Sequence, residues 1–439
     1  MAATLIRTYP RAAAKPRGRA PSRAGAMLVH AGYLLLFPGF FFYHAAIGTG
    51  KLGPVLAGFF SPVALMLLPL LLFYYCMEAV RNPRFLGGTD VAFLLFQLYY
   101  FFMVAFQWAT SDAPHPNEEH AVALLQFVPV YIIFRMADFH SRGVLLASVA
   151  ALGGMAAMIF DLSSNGFFDL SERITGHDSA TIITYQGFAR SFLMTYLVAV
   201  PFIKSLPLRL VLHGVSLAAL YFNGARSELV GALLAVALVE TVLARRRLWV
   251  AGGIASLAML AFGPHVSYLA KMLPGNRILE LLDLSTSSSW GSRNEMFEVA
   301  LRTVGEHPLL GDYGSYINVG GVGSYAHNLI SAWVDLGLFG FLFILALMLV
   351  PLGMLAADMA RRRHAGLLGE CLNAFCLLGV TLFLLATVKD FTYLGVPAAI
   401  GVFGRYRELV LGGSASPRRT VNRMRQGKTS IEKLDGSAA

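Results

Sequence analysis

This chain is poor in charge. Asp, Glu, Lys and Arg make up 14% of its 439 residues while 56% are hydrophobic; an ordinary soluble domain carries about 25% charged residues. Cysteine is scarcer still. Cys76, Cys371 and Cys376 lie within or at the ends of apolar runs without CxxC spacing, which excludes a disulfide framework or a thiolate metal site as an expectation. No grouping of Asp, Glu and His marks a metal centre, and no internal repeat supports a transporter built from two related halves. Acids are missing altogether from the first 26 residues.

Long apolar runs are abundant instead. Stretches of roughly 18 to 25 residues, each able to cross a hydrocarbon core about 30 Å thick as a helix, recur from end to end. About twelve can be drawn, over residues 28–48, 52–77, 90–109, 119–137, 143–162, 188–204, 207–223, 226–244, 247–265, 329–357, 369–388 and 391–408. The weakest are 119–137 and 188–204, either of which suits a re-entrant or tilted piece. The expected fold class is therefore all-α, a polytopic transmembrane helical bundle. Residues 27–410 form one integral domain, flanked by basic tails over 1–26 and 411–439.

A net charge of +10 would point to nucleic acid if it formed a patch on a soluble domain. Here the basic residues sit at helix ends and termini, where they act as topology signals, so no nucleic-acid partner is expected. Arg7, Arg11, Lys15, Arg17, Arg19 and Arg23 crowd one tail, and Arg418, Arg419, Arg423, Arg425 and Lys428 the other. Both tails are expected in the cytoplasm. Arg81 and Arg84, Arg135 and Arg142, Lys204 and Arg209, Arg245 to Arg247, and Arg361 to Arg363 then fall on the same side. The basic first tail also suits a transit peptide, but no small-residue cleavage site follows a short apolar core, so the first span is expected to remain as an anchor.

The longest polar interruption runs from about 266 to 326, and loops of that size are commonly functional. Within it Met296, Phe297, Ala300, Leu301 and Val304 recur at helical spacing, so Asn294 to Glu306 is expected as a helix, ended by Pro308, Gly311 and Gly314. Topology places Arg226, at the mouth of its helix, on the same side as Arg293 and His327. Two forked guanidinium groups facing one pocket suit a diphosphate. The plainer roles are a headgroup anchor for Arg226 and a solvated helix-start residue for Arg293. Arg190, near another helix end of that side, is a reserve phosphate contact. His307 reads as a turn residue, and Lys389 and Asp390 as a pair neutralising each other. The aromatic run Leu98 to Trp108 is either a cradle for a lipid chain or ordinary packing and interface material.

Three segments together resemble the O-antigen ligase and O-antigen polymerase superfamily of bacterial membrane glycosyltransferases. GARSELVGALLAVAL, from Gly224, is similar to that family's opening of a transmembrane helix by small residue, arginine, small residue. RNEMFEVALRTVGEHPLLGDYGSY, from Arg293, resembles its arginine-led loop helix and hydrophobic turn. AHNLISAWVDLGLFGFLFILALML, from Ala326, resembles its histidine-asparagine pair followed by an acid-x-glycine-x-x-glycine helix. The motifs cover Asn223 to Leu349, and the remaining spans match in hydropathy only. Eight residues, Leu329 to Leu336, stand between Asn328 and Gly337, one fewer than ligases of the family usually carry.

The resemblance implies transfer of a glycan from undecaprenyl diphosphate to a sugar hydroxyl at the periplasmic face of the inner membrane. Arg226 and Arg293, with Arg190 in reserve, would bind the diphosphate; His327 would accept the incoming hydroxyl's proton, with Asn328 as its hydrogen-bonding neighbour. Asp335, eight residues after His327, would orient the ring or serve as a cap or packing residue. Diphosphate is already a good leaving group, so neither metal nor cofactor is expected, and direct displacement would invert the anomeric centre. The implied partners are an undecaprenyl-diphosphate-linked oligosaccharide, a glycan or lipid A-core acceptor, membrane lipids, and a chain-length regulator and flippase. The shortened spacing favours a surface-polysaccharide polymerase, for O-antigen or exopolysaccharide, over a ligase. The rivals from other classes are a lipid-linked saccharide transporter and a noncatalytic scaffold.

Overall fold

In a computed structural model, residues 22–53, 55–56, 58–82, 85–110, 114–164, 167–168, 185–244, 288–320, 327–361 and 365–414 are described. Their regular secondary structure is helical apart from a two-residue ladder pairing Ser163–Ser164 with Phe167–Phe168. The helices in chain order are α1 (Arg23–Gly48), α2 (Phe60–Arg81), α3 (Gly88–Thr110), α4 (Pro114–Met136), α5 (Arg142–Leu162), α6 (Tyr185–Ala199), α7 (Leu206–Asn223), α8 (Arg226–Ala244), α9 (Ser288–Glu306), α10 (Ile317–Gly320), α11 (Ile330–Ala360), α12 (Leu368–Thr387) and α13 (Gly395–Ser414). Eight are long and apolar enough to cross a membrane: α1 to α5, α7, α11 and α12. The expected span 247–265 and the tails up to residue 21 and from residue 415 lie outside the described residues. Every other expected span falls on a described helix.

Local chemistry sets the boundaries. Ser22 caps α1, its hydroxyl accepting from the Gly25 amide at 3.0 Å, and Pro38 interrupts the ladder within α1, producing a π turn over Leu35–Gly39. The second span, expected to begin at residue 52, begins as a helix at Phe60. Gly50 turns left-handed at φ +70°, and Phe59 reaches φ 55°, non-helical conformations on either side of the expected start. Span 188–204, one of the two weakest patterns, is a short helix followed by a turn. The α6 helix is 15 residues long, against about 20 for a straight crossing, and gives way to a 3-10 turn at Val200–Phe202 around Pro201. Nearly all of its side chains are buried, so protein surrounds it rather than lipid.

Helix α4 packs on α1, α2, α3 and α13. Its contact with α13 is backbone-close: a Cβ on Gly401 would stand 2.7 Å from the Tyr131 carbonyl oxygen and 2.9 Å from the Arg135 amide, the small-residue contact by which apolar helices approach one another. Rings of Tyr33, Phe37, Phe134 and Phe139 meet edge-on around it. The aromatic run on α3 divides by face. Tyr100, Met103 and Val104 are buried while Leu98, Phe101, Phe102, Phe106 and Trp108 point outward.

Two of the arginines read as topology signals are buried members of ion-pair networks. Arg135, 1% exposed, donates to Asp90 of α3 at 2.9 Å, to Glu408 of α13 at 2.7 Å and to the Phe85 carbonyl. Tyr75 and Tyr131 add hydroxyl donors to Asp90, each at 2.7 Å. Arg209 of α7 forks onto Glu240 of α8, which His213 also approaches at 3.1 Å. None of the three carboxylates is near its arginine in sequence, so a helix-end pattern could not reveal the pairing. A charge inside an apolar bundle persists only when paired in this way.

Candidate functional site at the polar end of the bundle

The opposite end of the bundle gathers the residues singled out from the sequence, beginning at the start of α11. There the Asn328 side-chain oxygen accepts from the Ile330 amide at 2.9 Å, and the Asn328 carbonyl accepts from the Ser331 hydroxyl at 2.8 Å. Those bonds satisfy donors that a helix start leaves open. Asn328 thus fixes the direction in which the chain, and with it His327, enters the helix. The His327 ring is half-buried and bonds the Val388 backbone. Burial first, and then the charges of Arg293 and Lys389, hold its pKa down at about 4. The imidazole is neutral at pH 7.

Cations approach from several elements. Arg293, half-buried on α9, acts electrostatically on His327, as does Lys389 in the turn between α12 and α13. The Phe391 amide of that turn donates to the Ser331 hydroxyl at 3.1 Å, tying the turn to α11. Arg226 opens α8, immediately after Gly224 ends α7 with φ 78°. Two residues on, Glu228 is 0% exposed and pairs with the Lys389 ammonium at 2.8 Å. Arg190 of α6 lies 5.5 Å from the rings of Phe40 and Phe60 and within electrostatic reach of Glu228. The pairing of Lys389 with Asp390 is corrected: Lys389 turns to Glu228, while Asp390 accepts from the hydroxyl and amide of Thr392. Burial raises the Asp390 carboxyl above its ordinary range.

Asp335, one turn or more into α11 and 2% exposed, accepts from the Gly314 amide at 3.0 Å and lies 3.7 Å from Nε2 of His120 on α4. Nδ1 of that histidine stands 2.8 Å from the Tyr100 hydroxyl, and its ring lies parallel to Phe391. Asp335 therefore anchors the turn at Gly314 to the start of α11. It gives that turn a fixed floor against α3 and α4.

The hydrophobic turn and the glycine helix are parts of one joint. Gly337 breaks α11 at φ 69°, freeing backbone groups in the middle of an apolar span, where each must find a protein partner. The turn supplies them. The Asp312 amide donates to the Val334 carbonyl at 2.8 Å and the Leu338 amide to the Leu309 carbonyl at 3.2 Å. Trp333 Nε1 reaches the Pro308 carbonyl at 2.7 Å, and the Tyr99 hydroxyl donates to the Leu336 carbonyl. Gly311, at φ 72°, allows the approach: its Cβ would stand 2.6 Å from the Trp333 oxygen, and one on Gly337 would stand 2.8 Å from the Leu310 carbonyl carbon. His307 is exposed and its carbonyl accepts from the Gly311 amide at 2.9 Å, a turn residue as its sequence suggested. Gly337→Val combines left-handed strain of about 1–2 kcal/mol with overpacking of about 1–3 kcal/mol. Thermal unfolding in detergent should show a clearly lowered midpoint, and an unchanged one would remove the joint.

His120 and Glu228 were not singled out from the sequence. His120 closes the acidic stretch NEEH, where a solvated connection is the natural reading, and Glu228 stands two residues from an arginine already in view. Only the tertiary structure shows that each turns inward. No protein-family model matches the chain, and no curated protein is detectably similar to it.

Proposed function

We propose that the chain is a membrane glycosyltransferase, moving a glycan from undecaprenyl diphosphate to a sugar hydroxyl at the periplasmic face of a bacterial inner membrane. The observation that carries this reading is a neutral histidine, His327, held at one end of the bundle within electrostatic reach of Arg293 and Lys389, with Arg190 and Arg226 on neighbouring helices. The acceptor oxygen attacks the anomeric carbon, the bond to the diphosphate breaks with its electron pair on the leaving oxygen, and the acceptor proton passes to His327. Fixed guanidinium groups in a partly dehydrated site stabilise the charge that builds on the leaving group. A diphosphate arriving beside His327 also offsets the cations that depress its basicity, so the donor itself improves the base.

Repeated transfer between lipid-linked units, giving a polymer, is favoured over ligation to lipid A-core by the eight-residue spacing before Gly337. Purified protein incubated with a lipid-diphosphate-linked repeat unit should yield a product ladder on a gel. A product formed only after lipid A-core is added makes it a ligase, and no product in either case overturns the reading. Arg293→Lys should lower turnover about 10-fold or more with folding intact, because a point charge replaces a fork; unchanged turnover would take Arg293 out of the diphosphate site.

A further inference from the structure

The far end of the bundle contains a cleft of about 410 Å³ between α3, α11 and α13, within the ordinary range of ligand pockets, about 300–1,000 Å³. Its walls are apolar: Ala92, Phe343, Ala346, Leu347, Val350 and Met354 stand along α3 and α11, facing Ile400, Phe403 and Leu411 of α13. Ala346, Val350 and Leu411 are exposed, so the cleft opens sideways, toward the solvent of a membrane-spanning bundle, which is lipid. From Phe343 to Met354, and equally from Ile400 to Leu411, the walls run about 16 Å along their helices. That is the depth of one leaflet, half of a core about 30 Å thick.

Polar groups line only its deep corner and its rim. Asp90 and Arg135 are consumed by their own network, and Glu408 faces inward to Arg135. Arg407, half-buried on the rim near the end of α13, makes no ion pair among the described residues. A forked cation on the rim of a leaflet-deep apolar slot matches a phosphate ester beside one acyl chain.

We infer that this cleft is a binding site for an anionic membrane phospholipid, one acyl chain lying between α11 and α13 and the headgroup phosphate on Arg407. It lies at the other end of the bundle from His327, and it does not depend on the transferase reading. The test is native mass spectrometry of protein extracted in mild detergent and equilibrated with phosphatidylglycerol or phosphatidylethanolamine. The wild type should retain phosphatidylglycerol preferentially. Arg407→Gln should lower that retention about tenfold, equivalent to about 1.4 kcal/mol, and Ala346→Trp should abolish it by filling the slot. Leu65→Trp, on the exposed face of α2, should bind as the wild type does, and matched melting midpoints establish folding. Retention by Arg407→Gln and Ala346→Trp equal to wild type, or no preference between the two lipids, would overturn the assignment.

Discussion

His327→Ala should reduce glycan transfer by about 10²–10⁴-fold, the range for loss of a positioned proton acceptor, with little change in donor binding. The side chain is half-buried at the start of α11, and Asn328 and Ser331 hold the helix start without it, so the fold should survive. The pH profile separates a proton acceptor from a spacer. Because burial, Arg293 and Lys389 disfavour the charged ring, His327 stays in its basic form until the pH falls to about 4. Transfer measured as kcat/KM should then be level from neutrality to about pH 5 and decline below it, where an ordinary histidine of pKa about 6.5 would decline from pH 7. Removing one depressing charge in Arg293→Gln should move the acidic limb upward. A limb near pH 6.5 in the wild type, or one that stays put in Arg293→Gln, would remove His327 as the base.

The helices were legible because crossing a membrane demands long charge-poor runs, and such runs survive being read one residue at a time. Their ends were less so: the span drawn from residue 52 begins as a helix two turns later, at Phe60, after the positive-φ conformations of Gly50 and Phe59 that an apolar letter does not announce. Motif reading grouped Arg226, Arg293, His327 and Asp335 by order and side. The pairings remained hidden, since Glu228 with Lys389 and Asp335 with His120 join residues far apart in the chain. The two glycine signals were visible separately, yet their meaning lies between them. Gly311 and Gly337 permit one backbone to bond into the break of another, a relation that no local pattern carries.

Lys389→Met should be the most destabilising single change at the polar end, by about 3–5 kcal/mol, because it leaves the Glu228 carboxylate buried without its ion-pair partner. Glu228 is 0% exposed, and among the described residues its other hydrogen bond is with the Ser227 hydroxyl at 2.6 Å. Arg190 acts on it only from a distance, which offsets part of the loss and sets the expectation at the lower end. The double variant Lys389→Met with Glu228→Gln removes both charges and should recover most of the stability, since two neutral side chains of similar size cost little to bury there. Thermal unfolding of the wild type, both single variants and the double variant in one detergent measures the coupling. Additive effects would mean that the 2.8 Å contact carries no stability. Recovery of stability without recovery of transfer would assign Lys389 a second role, as a cation that the donor's diphosphate takes over from Glu228.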